Sequence, residues 1–305
     1  ALRGYTDGLA ARRSVLGGWV AVHLQKRALS SPAAIRQSLK NRLGAKRTGL
    51  ALAEDGIASA RAAVLDEESD DELSDEELSR RVDAAALSDR REELEELEQV
   101  LSLAEAVTPG RDRKLKRLIE ALPGRLKAHK EAPRVLLFTR WKDTLDYLVK
   151  QLEREAAKPT SPISGLAVFS IHGGDVLADR MKTYAEFEQT TGAVLVATDC
   201  ISEGMNLQLG AAEIIHYELP WNPNRLEQRN GRVDRFGQPC KTVGIRTLVY
   251  EDPLDVAVLE VLVKKAAAIR EEFGFSPPFF SSYGDRLALM KEYGSVSGQL
   301  QLDLF

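Results

Sequence analysis

Gln228, Arg232 and Arg235 lie in the stretch EIIHYELPWNPNRLEQRNGRVDRFGQ, residues 213–238. Pro223 is placed to open a helix here, with Asn222 or Asn224 as its cap. A helix through the stretch sets Gln228 and Arg232 four residues apart, and Arg232 and Arg235 three apart. All three are then expected on one face. Two guanidiniums held above the end of a sheet can neutralise charge spreading over phosphoryl oxygens during transfer. Exposed arginines also make surface ion pairs worth little, and an isolated RxxR does not separate the two readings. Before the helix, Ile214, Ile215 and Tyr217 form an apolar run that reads as a buried strand ending near Leu219 and Pro220.

Three further segments offer polar groups directly after apolar runs. Thr139 and Arg140 follow RVLLF; a hydroxyl, a guanidinium and the amides of a following helix could hold a phosphate, or could simply cap that helix. In SIHGG, Gly173 and its neighbour let a backbone come close to a phosphate, while His172 is either a contact or a satisfied structural histidine. In ATDCISEGMNLQ, Thr198 offers a hydroxyl, and Glu203, Gly204 and Asn206 follow it in the same loop. Asp199 and Glu203 could cap a turn or hydrogen-bond a ribose hydroxyl.

Together these segments resemble a known family. QRNGRVDR, framed by WNP and FGQ, has the form of motif VI of superfamily-two helicases; ATDCISEGMNLQ resembles motif V, FTRWKDTLDYL motif IV and SIHGG the intervening glycine element. The order and spacing are most similar to the Snf-type DNA-dependent ATPases, especially their bacterial RNA-polymerase-associated branch. The resemblance implies a RecA-like second lobe and ATP with Mg2+ as cofactors. It implies Arg232 and Arg235, with Gln228, at the transferred phosphoryl group, and Glu203, Gly204 and Asn206 toward the nucleotide. It implies Thr139, Arg140, His172, Gly173 and Thr198 on the backbone of DNA, expected to be duplex. A first RecA-like lobe of the same protein is the implied partner, and RNA polymerase a further one. No GxxxxGK[ST] phosphate loop and no DExH-like magnesium box occur in the sequence. The triphosphate and metal are therefore expected mainly on that other lobe, and this chain alone is expected to hydrolyse ATP negligibly.

The elements that must position these residues follow a β–α alternation. Strands are expected at 134–139, 166–171, 193–198, 213–219 and 243–250. Helices are expected at 142–152, around 176–187, and from Pro253 to about 273. This predicts an α/β fold: a parallel sheet flanked by helices, RecA-like as the resemblance implies, with ligands beyond the carboxyl ends of the strands. Residues 112–130 read as a basic amphipathic helix broken at Pro123 and Gly124. Residues 1–47 read as basic helices interrupted at Ser30, Ser31 and Pro32, similar to the connection between the two lobes in bacterial Snf-type proteins. Leu94, Leu97 and Leu101 recur at helical spacing beside a glutamate-rich face. The expected organisation is an interlobe helical segment at 1–50 and an acidic helical insert at 51–108. The RecA-like lobe follows at 109–275 and a tail at 276–305.

With 305 residues, 44% hydrophobic and 29% charged, the chain has the composition of a soluble protein, and no apolar run is long enough for a bilayer. Two isolated cysteines fit a reducing cytoplasm. The sequence opens ALRGY without methionine and so reads as a fragment. Residues 66–98 hold 16 acidic and 4 basic side chains, a local −12 against a total of −4. The remainder is therefore basic, as a nucleic-acid surface requires. The acidic run reads as a solvated loop or helix end, or as an arm that excludes DNA from part of the surface. At the end, Gln301, Leu302, Asp303, Leu304 and Phe305 read QLDLF, which resembles the pentapeptide by which bacterial replication and repair proteins dock on the sliding clamp. Alternating leucines also suit a terminal strand. Two other readings stand beside the motor: a non-catalytic adaptor between DNA and clamp, and a component of a phage-defence helicase.

Overall fold

Val135 and Leu137 of RVLLF pack into one apolar cluster and Leu136 and Phe138 into another, so this strand is covered on both faces. The same division holds for Val194 and Val196 against Leu195 and Ala197, and for Ile215 against Ile214. Continuous apolar runs of this kind form strands because burying each large side chain on either face stabilises by about 1.5–3 kcal/mol. The computed structural model describes residues 1–11, 15–48, 75–84, 91–130, 132–202, 207–220, 223–250 and 256.

Five parallel strands form one sheet in the order β2-β3-β1-β4-β5. They are β1 (Arg134–Phe138), β2 (Ala167–Ile171), β3 (Ala193–Ala197), β4 (Glu213–His216) and β5 (Gly244–Thr247). The register is flush at the carboxyl edge: Phe138 pairs with Ala197 and with His216, Ala197 with Ile171, and His216 with Thr247. Main-chain bonds carry the alignment one residue further, from Thr139 N–H to Ala197 O, Thr198 N–H to Ile171 O and Tyr217 N–H to Phe138 O. Thr139, His172, Thr198 and Tyr217 therefore stand in one row along that edge. This is the parallel sheet flanked by helices that the alternation predicts.

Among the described residues nine α-helices accompany these strands in chain order, with one further short turn of helix before β4. The N-terminal region contributes α1 (Leu2–Ala11), α2 (Val15–Ser30), α3 (Pro32–Thr48), α4 (Asp75–Ala84) and α5 (Arg91–Glu105). The break between α2 and α3 has its expected chemistry: Ser31 Oγ accepts the N–H of Ala34 at 3.0 Å, and Pro32 opens α3. Leu97 is buried among Leu9, Leu24 and Leu39, with Leu94 and Leu101 beside it. Of the acidic run, residues 75–84 and 91–98 are helical; residues 66–74 and 85–90, like the tail from 257 onward and its QLDLF, lie outside the described residues.

Asp112 caps α6 (Arg113–Leu126), its Oδ1 accepting from Lys114 N at 3.0 Å and Leu115 N at 3.1 Å. This helix corrects the expected break at Pro123 and Gly124: it runs through both. Pro123 stands in the last turn, where its carbonyl still accepts the N–H of Lys127, and Leu122 before it is buried against the sheet. Packing outweighs the one bond that proline forfeits. Next come α7 (Lys142–Ala156), α8 (Leu177–Gln189), α9 (Leu207–Gly210) and α10 (Pro223–Asn230). No described helix is long and apolar enough to cross a membrane.

Candidate functional site

α10 ends at Asn230, so the expected single face carrying Gln228, Arg232 and Arg235 does not form. Gln228 lies exposed on the helix, and Arg232 and Arg235 lie in the turn beyond it. The reason is local. Asn230 and Gly231 close the helix, and the N–H groups of Val233 and Asp234 both turn back to Asn230 O, at 3.0 and 2.9 Å. Val233 then drops into the core beside Ile214 and Leu207, and Gly237 takes φ +93°. A β-branched side chain anchored beneath a tight turn overrides continued helix. Arg232 is half-buried and Arg235 exposed, and among the described residues neither side chain has an ion pair; Phe236 beside them is fully exposed.

The arginines that α10 turns inward are Arg225 and Arg229, spaced four apart. Arg229 grips Asp199 with two bonds, Nε to Oδ1 at 2.5 Å and Nη2 to Oδ2 at 3.0 Å, and Arg225 Nη1 reaches Oδ2 at 3.0 Å. Asp199 opens a short 3₁₀ turn, Asp199–Ser202, directly after β3. Burial pushes its carboxyl up, but Arg229, then Arg225 and Arg140, outweigh this and hold it well below the usual carboxylate range. Arg229 is 4% exposed and also lies 5.5 Å from the centre of the Phe138 ring. Asp199 is thus occupied by arginines, which answers the choice between turn cap and ribose contact with a third role. Sequence reasoning missed it by a phase error: the i, i+4 pair that matters for α10 is Arg225 and Arg229, one step earlier than Gln228 and Arg232.

A second polar cluster sits at the ends of β1 and β4. The Thr139 hydroxyl donates to Glu218 Oε2 at 3.0 Å, and Ser30 Oγ donates to the same oxygen at 3.1 Å. The Arg140 main-chain N–H donates to Glu218 Oε1. Thr139 is 0% exposed and Arg140 3%, with its guanidinium 4.5 Å from the centre of the Trp141 ring. Both residues are therefore turned inward rather than offered at the surface. Thr198 is 6% exposed, its N–H bonded to the end of β2. His172 is half-buried and closes a small turn: its N–H donates to Asp175 Oδ2 at 2.7 Å, and its Nδ1 accepts the Gly174 N–H at 3.0 Å. Gly173 is exposed, and its carbonyl accepts from Arg180. Glu203, Gly204 and Asn206 lie outside the described residues, as does Asn222; Asn224 lies inside α10.

Beneath the arginine turn, His216 is fully buried, stacked on Phe138 and bonded through Nε2 to Asn230 Oδ1 at 2.9 Å. Burial first, then Arg229, holds its imidazole down at about 3, so it is neutral at ordinary pH. Among the described residues no three His, Cys, Asp or Glu side chains gather in a group that could hold a metal ion.

The helicase conserved C-terminal domain family matches this chain over residues 113–237. The RNA polymerase-associated protein RapA of Vibrio campbellii is 31% identical over 135 residues, which take in 44% of this chain and 14% of that protein. The uncharacterized ATP-dependent helicase YqhH of Bacillus subtilis is 43% identical over 72 residues, 24% of this chain and 13% of that protein. The chain thus spans a small fraction of the length of these relatives. The crystal structure of the C-terminal part of the Fun30 ATPase domain aligns with 82% of this chain and 85% of its own, at 18% identity and a TM-score of 0.44.

Proposed function

We propose that this chain carries, at residues 113–237, the C-terminal lobe of a Swi/Snf-type superfamily-two helicase and serves as the second motor lobe of an ATP-dependent DNA translocase. The observation that carries the reading is the turn after α10. Arg232 and Arg235 stand there without an ion-pair partner among the described residues, tied through Arg229 to the loop that follows β3. Guanidiniums left open in this way suit the oxygens of a phosphoryl group. ATP supplies the transferable phosphoryl group and Mg2+ the counter-charge on its oxygens. Both are assigned mainly to a first lobe on a longer polypeptide, since this sequence has neither phosphate loop nor magnesium box.

In this reading Arg232 and Arg235 meet the nucleotide when the two lobes close, with Gln228 beside them, and Glu203, Gly204 and Asn206 complete that wall. The row formed by Thr139, Arg140, His172, Gly173 and Thr198 faces the DNA backbone. Exposed Gly173 and half-buried His172 can meet a phosphate directly, while Thr139, Arg140 and Thr198 act by shaping the edge from within. Contact of this kind is independent of sequence and weakens with salt. The relative named for RNA polymerase makes that enzyme a candidate partner, and QLDLF at residues 301–305 makes the sliding clamp another.

The test is Arg232→Ala, and separately Arg235→Ala, in the longer protein. DNA-stimulated ATP hydrolysis is expected to fall by about a thousandfold or more, the scale on which such arginines act. Full hydrolysis in both variants would instead favour an adaptor, for which clamp capture lost on deleting residues 301–305 is the matching measurement.

A further inference from the structure

We propose that the bridge of Asp199 to Arg229 and Arg225 is a positioning device that holds the turn bearing Arg232 and Arg235 in register with the loop after β3. The proposal rests on the motor reading above and gives a role to the Arg229 tie and to Asp199 and Arg225, which that reading leaves unassigned.

The argument is one of connectivity. The turn has three anchors. Val233 is buried in the core beneath it. Asn230 hangs from His216 of β4 and in turn accepts the N–H groups of Val233 and Asp234. The third is Arg229, whose carbonyl accepts the N–H of Arg232 at 3.2 Å while its guanidinium holds both oxygens of Asp199. Val233 and Asn230 tie the turn to the sheet. Beyond the apolar cluster that Val233 shares with Ile201, the described hydrogen bonds from α10 to the segment after β3 are those of the Asp199 bridge, and that segment leads into Glu203, Gly204 and Asn206. A movement of that segment therefore reaches the Arg232 main chain through one side chain and one hydrogen bond.

The geometry is suited to transmission. A bidentate arginine–carboxylate pair fixes angle as well as distance, which a single lysine contact does not. Arg229 is held on its other side by the Phe138 ring at the end of β1, so it has little room to follow a loosened partner. Arg225 shares the same carboxylate oxygen and braces the preceding turn of α10. Asp199 and Arg229 touch no reacting group in this reading; they act through Arg232.

The experiment is a double-mutant cycle in the longer protein with Asp199→Asn, Arg232→Ala and both together, reading kcat and KM for ATP and DNA affinity separately. Positioning predicts that Asp199→Asn lowers kcat about tenfold to a hundredfold, the cost of a small misplacement. KM and DNA affinity should move far less. The double variant should be no slower than Arg232→Ala alone. If Asp199→Asn fails to fold, Arg229→Lys, which keeps the charge and loses the paired bonds, takes its place in the cycle. Wild-type kcat in Asp199→Asn, or losses that simply multiply with those of Arg232→Ala, overturns the positioning role and leaves the motor reading standing. Undiminished hydrolysis in Arg232→Ala overturns the motor reading itself, and this proposal with it.

Discussion

His216 carries the clearest pH signature of any single residue. Its ordinary value is 6.5 and burial with Arg229 takes it down to about 3. Between those values an unfolded chain binds a proton that the folded one refuses, so stability is full above 6.5 and drains as pH falls toward 3. The loss reaches at most about 1.4 kcal/mol per pH unit. Asp199 adds no slope over most of this window: its carboxyl is held below its ordinary value of 3.8, so its share is full above that value and drains only as pH falls below it. His23 adds to the slope, because burial outweighs its contact with Asp83 and lowers it too. His216→Gln keeps a partner for Asn230 and removes the titration. Urea midpoints at pH 7.5, 6.5, 5.5 and 5 are therefore expected to fall less steeply in the variant than in wild type. Equal slopes would mean that the folded imidazole takes a proton as readily as the unfolded one. The identity of the reactive-looking arginines was legible from residue type alone, but their phase was not, because helix length depends on Val233 finding the core.

At the scale of elements, β1 to β5 were legible because apolar runs bounded by glycine, proline or charge have one stable use in a parallel sheet. The ends of α6 and α10 were not, since proline in a last turn and a valine beneath a turn are decided by packing. Least legible was the ionic core of the N-terminal helices. Arg42 sits in KNRL and Glu93 in REEL, and each looks like part of a solvated face. Yet Glu93 is fully buried, with Tyr5 Oη donating at 3.0 Å, Arg42 Nη2 at 2.9 Å and Lys46 Nζ at 2.6 Å. One carboxylate thus joins α1, α3 and α5. Glu93→Gln leaves a buried guanidinium uncompensated and is expected to cost about 3–5 kcal/mol. Glu98→Gln, which removes an exposed pair with Arg47 between the same two helices α3 and α5, is expected to cost under about 1 kcal/mol. Chemical denaturation of both variants decides it; similar costs would mean that the buried site is far wetter than its packing implies.

For the whole molecule, the question is what makes helices and sheet move together. The corner between α2 and α3 lies on the carboxyl edge of the sheet, the edge that carries the candidate site. Ser30 and Ser31 both meet Thr144 Oγ1, at 2.7 and 2.8 Å, Arg27 pairs with Asp143 and covers the Trp141 ring, and Lys114 Nζ donates to Leu29 O at 2.7 Å. Glu218 is the acceptor where these paths converge, since it alone among them takes bonds from α2, from Thr139 and from the Arg140 main chain. Glu218→Ala removes that acceptor. The Ser30 hydroxyl keeps Thr144 Oγ1 as a neighbour at 2.7 Å, but the Arg140 amide, fixed in the main chain, cannot turn, and an orphaned buried donor costs about 1–3 kcal/mol. The loss should be local in its first effect. Amide hydrogen exchange is expected to quicken across residues 27–34 and 139–145, while amides of α1 and α5, held by Glu93 and the leucine cluster, keep their protection until global unfolding. A uniform loss of protection over every helix would mean that Glu218 supports the fold at large, and the helical segment would then have no separable hold on the edge where Thr139 and Arg140 lie.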